Sequence, residues 1–202
     1  MDEITLNQLS RTMLYSEELG IGLDLKADGE LFKWFLASLL FGARISETIA
    51  KRTYRSFERY DLVVPENILD AGWDFLVNPV MREGGYVRYD EKTSRRVLHN
   101  CDMLLKEYEG SLNSLHERAV DGQDLEQRLL AFYGVGPVTV NIFLRELRPF
   151  WKKDNVEPSR NVKELARRHR IDIDSLDRKS ISFARVEAGL IRLRKELARQ
   201  SD

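Results

Sequence analysis

Apolar residues recur every three to four positions along most of the chain, and no stretch of useful length alternates with period two. From Leu31, LFKWFLASLLFG sets Leu31, Trp34, Phe35, Ser38 and Leu39 on one face and carries apolar residues around much of the rest. A helix apolar on most sides belongs at the centre of a fold. Gly42 predicts its end, and ARISETIAKRTYRSFERY predicts a second helix with Ser46 as N-cap and Ile49, Tyr54 and Phe57 inward. PENILDAGWDFLVNPV predicts a short helix that stops before Pro79. MREGGYVRYDEK reads as a turn around Gly84 and Gly85. TSRRVLHNCDMLLKEYEG reads as a helix with Val97, Leu98, Cys101, Leu104, Leu105 and Tyr108 on one side and Gly110 as its stop. DLEQRLLAFY, PVTVNIFLRELRPFW, NVKELARRHR and SFARVEAGLIRLRKELARQ complete the helices. The fold class expected is all-α, a two-lobed helical bundle with short connections. Residues 1–202 make one unit, with about 25–130 as a central lobe and 1–24 plus 131–202 as a second. A cleft is expected between them.

Two helical patterns meet at Tyr133-Gly134-Val135-Gly136-Pro137-Val138-Thr139. Gly134 suits a left-handed residue closing the first helix. Val135 suits an apolar plug between the two helices, and Gly136 leaves room for another backbone. Pro137 fits the first position of the second helix, whose N–H has no intrahelical partner to lose. Backbone amides at such a helix start, with no bulk in front, favour an anion, and a DNA phosphate is the obvious one. The second helix is expected to turn Val140, Phe143, Leu144 and Leu147 inward and Arg145 and Arg148 outward. A bare Gly-x-Gly is as often a tight turn; Val135, the Leu129-Leu130 pair and Thr139 favour DNA binding.

Composition narrows this picture. The 202 residues are 43% hydrophobic and 32% charged, which is ordinary for a globular domain and does not suggest disorder. A formal net charge of −1 draws no nucleic acid by itself, so a phosphate-binding surface requires local clustering. From Arg145 to Arg170 there are nine Lys/Arg against four acids, and Lys152, Lys153, Arg160 and Lys163 are the further candidates in it. The alternative is a solvated helix face. Arg88, Lys92, Arg95 and Arg96 form a second basic strip. The single Cys101 excludes an intramolecular disulfide framework and a cysteine-ligated cluster within one chain. His99, His116 and His169 lack metal-ligand spacing, so no metal or cofactor is expected. MDEITLNQLS lacks the features of a signal peptide, and no window is apolar enough to cross a membrane. A cytoplasmic monomer is the expectation.

LLAFYGVGPVTVNIFLREL resembles the helix–hairpin–helix of the endonuclease III-type DNA glycosylase superfamily. LLFGARISETIAKRTYRSF resembles the early helix–loop–helix of those enzymes, and GGYVRYDEKTSRRVLHNCDMLLKEYEGSLNSL their next segment. VEAGLIRLRK resembles the helix before the iron–sulfur loop of the branches that have one. The ordered matches cover about residues 25–195. The resemblance implies double-stranded DNA, damaged or mismatched, as partner. It also implies a base-flipping wedge at Arg44 and a pocket aromatic at Trp151 or Tyr133, while Trp34 sits in a helix that reads as core. Val138 stands where bifunctional members carry the lysine that forms a Schiff base, so the implied activity is that of a monofunctional N-glycosylase without lyase chemistry. Ser159 stands at the family's catalytic aspartate. Asp154 and Glu157, in a loop about three residues longer than usual, are the substitute catalytic carboxylates; otherwise the chain binds DNA without cutting it. A helical protein–protein adaptor is the third reading.

Overall fold

The computed structural model describes residues 5–199; the acidic Met1–Ile4 and Gln200, the end of the last helical pattern, lie outside the described residues. Every regular element among them is helical, which makes the protein all-α. The helices are α1 (Leu6–Leu9), α2 (Tyr15–Glu18), α3 (Asp28–Phe41), α4 (Glu47–Arg59), α5 (Pro65–Phe75) and α6 (Arg82–Gly84). Then come α7 (Asp90–Tyr108), α8 (Leu112–Arg118), α9 (Gly122–Leu130), α10 (Pro137–Leu147), α11 (Arg160–Arg168) and α12 (Ile181–Arg199).

The apolar helix expected from Leu31 is α3, and it is central. Leu31, Trp34 and Leu40 are wholly buried, and the Phe35 ring meets those of Phe132 and Phe143 edge-on at 5.1 and 5.5 Å. Trp34 is core, its Nε1 donating to the carbonyl of Phe143 at 3.0 Å, so α10 lies directly on α3. Ser46 caps α4 as expected, its Oγ accepting from the Ile49 N–H. The path through Pro79 differs from expectation. Gly72 at φ +73° kinks α5, and helical turns continue from Leu76 through Met81 into α6, interrupted by Asn78 at φ −145°, ψ 113°. Asn78 takes the extended backbone that a following proline imposes, and the chain resumes its helix one residue later.

Burial divides the core in two. The larger cluster gathers Leu14, Phe35, Val97, Leu125, Phe132, Phe143 and Trp151 with their neighbours. The smaller joins Leu9, Val162, Leu165, Phe183, Val186 and Leu190, from α1, α11 and α12. Helix α12 serves both, since its Ala184 and Ala188 pack in the larger cluster.

Two expectations are corrected where α10 passes between α3 and α12. Arg145 and Arg148 do not face outward: they are 6% and 0% exposed. With helices on both sides, this part of α10 has no solvent face. Arg148 donates to the carbonyl of Val156 at 2.7 Å, pairs with buried Glu187, and lies over the Phe183 ring. Trp151 is also interior, at 1% exposure, stacked on His116 at 4.7 Å and edge-on to Phe143. The Trp151 N–H still bonds the carbonyl of Leu147, so the chain leaving α10 folds back into the core instead of out to a pocket.

Candidate functional site

The hairpin forms as its residues dictate. Gly134 takes the left-handed conformation at φ +72°, and a side chain there would collide with Arg96. Val135 is buried in the larger core, and its N–H returns to the carbonyl of Phe132 at 3.1 Å. Pro137 occupies the first turn of α10 behind Gly136, whose carbonyl accepts from the Val140 N–H. Nothing lies within 4 Å of where a Cβ on Gly136 would be. Among the described residues, the amides of Gly136, Val138 and Thr139 meet no acceptor. The result is an uncapped helix start that faces open space.

Close packing brings other candidates beside this turn. Gly42, after α3, has no room for a side chain against buried Thr139, so the α3–α4 loop and its exposed Arg44 adjoin the hairpin. Ala43, Arg96, Tyr133 and Gly134 share one shallow indentation. Tyr133 is exposed, meets His99 edge-on at 5.3 Å, and lies on this outer face.

On the other side of the turn is a cavity of about 570 Å³ between the hairpin helices, the 156–159 loop, α11 and α12. Helix α10 supplies Val138, Asn141, Ile142 and Arg145, spaced as one helical face. Val138, 65% exposed, stands at the hairpin end, and buried Arg145 lies about 10 Å further along the helix at 1.5 Å per residue. Leu130, Val156, Leu165 and Ile191 make the remaining walls mostly apolar.

Two carboxylates line this cavity, and their surroundings push them apart. Glu157 accepts from Lys163 at 2.8 Å and pairs with Arg178 at 2.7 Å; the Lys163 hydrogen bond foremost, then Arg178, holds its carboxyl below the usual range. Glu126, on α9, has no hydrogen bond or ion pair among the described residues. Partial burial, and then the charge of Glu157, pushes its carboxyl up. Glu126 is not legible in the sequence: in DLEQRLL it looks like any solvated helix position. Only the approach of the 156–159 loop brings the like charge of Glu157 beside it.

The remaining candidates scatter. Asp154 is wholly buried and lies off the cavity wall. Its Oδ1 accepts from the Val156 N–H, its Oδ2 has no partner, and burial pushes its carboxyl up to about 7. Ser159 lines the cavity but serves as N-cap of α11, accepting from the Val162 N–H. Lys153 turns inward to the carbonyls of His116 and Glu117 at the end of α8. Arg160 pairs with Glu164, and Lys163 with Glu157. Of the basic cluster, Lys152 and the end of α11 remain exposed and without an ion pair among the described residues. In the second basic strip, Arg88 covers the ring of Tyr89 and Arg95 that of Trp73.

The chain matches no family model, no curated protein and no solved structure. Among the described residues no helix is long and apolar enough to cross a membrane.

Proposed function

We propose that the protein is a DNA-binding protein of the helix–hairpin–helix glycosylase type, which grips a duplex backbone at Gly136–Thr139 and draws an everted base into the cavity beside it. One observation carries the reading: an open row of amides at the start of α10 runs directly into the wall of a 570 Å³ cavity that holds two carboxylates. The amides take a phosphate. Arg44, on the adjoining loop, fills the space that the base leaves. Val138 occupies the hairpin end of the wall with a side chain that cannot form a Schiff base, so the chemistry is hydrolytic and monofunctional. Ionised Glu157 opposes the positive charge that develops on the sugar as the glycosidic bond breaks. Glu126, the more basic of the two, takes the proton of the attacking water.

A second reading keeps the recognition and drops the cleavage. It is favoured by Ser159, a helix cap where the family has its aspartate, and by the two cations already engaged with Glu157. Single-turnover base release from duplexes bearing uracil, a thymine–guanine mismatch, alkyladenine or oxoguanine separates the two. The expected result is release by the wild type, slowed by about 10²-fold or more in Glu157→Gln or Glu126→Gln and little changed in Asp154→Asn. Salt-sensitive binding without release of any base leaves the recognition reading. An Asp154→Asn enzyme that alone loses activity removes the catalytic roles of Glu157 and Glu126. A protein indifferent to DNA in every assay is an adaptor of another kind.

A further inference from the structure

Arg145 is a buried cation on the cavity wall that has no hydrogen-bond acceptor among the described residues. A guanidinium has five N–H donors and no acceptor. Among the described residues none of the five has a hydrogen-bond acceptor, although the side chain is buried, with only 6% of the residue exposed, and its Nε is fully enclosed. Its charge, by contrast, is balanced. Glu146 Oε1 stands 4.0 Å from Nε, with the Glu146 oxygens engaged by the N–H groups of Tyr15 and Ser16 at 3.1 and 2.9 Å. The Tyr15 ring lies 5.2 Å beneath the guanidinium carbon. What the site lacks is acceptors rather than a counter-charge. A buried donor left unmade is costly, whereas the same donor paired to a ligand contributes both affinity and selection.

We infer that the cavity selects a base presenting a keto edge to Arg145, and rejects its amino counterpart. The inference rests on the DNA-binding reading above and names the substrate class of that site. The O4 of uracil accepts from arginine, and O6 with N7 of hypoxanthine accept two N–H groups at once, whereas the exocyclic amino group of cytosine or adenine points a donor at a donor. Deaminated bases are damaged members of the keto class with a direct amino counterpart: uracil differs from cytosine, and hypoxanthine from adenine, by the exchange of an amino group for a carbonyl. The apolar walls formed by Leu130, Ile142, Val156 and Leu165 hold the ring without reading its edge, and Arg145 is the buried cation on the lining that reads the keto oxygen.

The test uses the full chain and duplexes in which the test base is unpaired, opposite a tetrahydrofuran abasic analogue. A 2′-fluoro sugar on the test nucleotide keeps a cleaving enzyme from altering the probe. Fluorescence anisotropy compares uracil with cytosine and hypoxanthine with adenine, and a duplex with tetrahydrofuran on both strands reports the backbone grip alone. The expected result is about tenfold or tighter binding of each keto base over its amino partner. Arg145→Met removes the preference while leaving the base-free duplex bound as before, and Arg145→Lys retains part of it. Equal binding within each pair, or a preference for the amino bases, overturns the inference and leaves the DNA reading standing. A preference that survives in Arg145→Met overturns the assignment to that residue. If no duplex binds, the DNA reading falls and the inference falls with it. The wild-type ratios decide even if Arg145→Met does not fold.

Discussion

Arg145 and Arg148 leave the same helix three residues apart, and the fold treats them in opposite ways. Arg148 is enclosed by partners from the chain itself: the Val156 carbonyl, the Glu187 carboxylate and the Phe183 ring. Arg145 faces a cavity and, among the described residues, meets no hydrogen-bond acceptor at all. The same contrast separates Gly134, wedged against Arg96, from Gly136, which faces empty space. Polar and backbone groups consumed inside the molecule hold it together. Arg145 and Gly136 are left open on the side where the proposed duplex would lie.

The largest effect that can break this contrast is Arg148→Met. It leaves buried Glu187 without the cation that hydrogen-bonds it and is expected to cost about 3–5 kcal/mol in denaturant unfolding, with much of that restored when Glu187→Leu is added. Arg145→Met, measured alongside, is expected to cost clearly less. Equal losses in the two single variants would erase the distinction between a structural and a receiving arginine.

Second in size is the pH response of Asp154. Its pKa is raised in the folded state, from a usual value of 3.8 to about 7, chiefly by burial. The preference for the neutral form therefore stabilises the fold fully below about pH 4 and is lost as pH rises through about 7. Asp154→Asn keeps an oxygen for the Val156 N–H and never ionises. It is expected to match the wild type at pH 4 and to be the more stable protein at pH 8 by thermal melting. Parallel melting curves across that range would show that Asp154 is not held neutral.

The smallest effect sharpens the hairpin half of the comparison. Gly134→Ala strains a left-handed residue and collides with Arg96, for an expected loss of about 1–3 kcal/mol. Gly136→Ala meets no atom at an ordinary φ of −115° and is expected to stay within about 0.5 kcal/mol of the wild type. If Gly136→Ala unfolds as readily as Gly134→Ala, the openness at Gly136 is not real.

The sequence pattern and the fold agree where one helix face carries the signal. Helices α3, α4, α7, α9, α10, α11 and α12 follow the periodicity, and the Gly134–Pro137 turn has the conformation that its residues require. Helices α1, α2 and α8 span four to seven residues, too short for a period to show. Charge misleads for a different reason. Arginine on a helix normally reads as solvent, and nothing within PVTVNIFLREL tells that α12 covers the opposite side. The cavity is illegible on the same ground, because Glu126, Arg145, Ser159 and Ile191 meet only after α9, α10, α11 and α12 converge.

Gly189 of α12 has no room for a side chain because Leu9 and Thr12 press against it. The Leu9 contact joins positions 180 apart and seats α1 on the smaller core. Closing so long a loop is entropically slow, and it must wait until the last helix has been synthesised. The larger core holds most of its members well before that point in the chain. One wall of the cavity is therefore absent from the nascent protein until translation has passed α12.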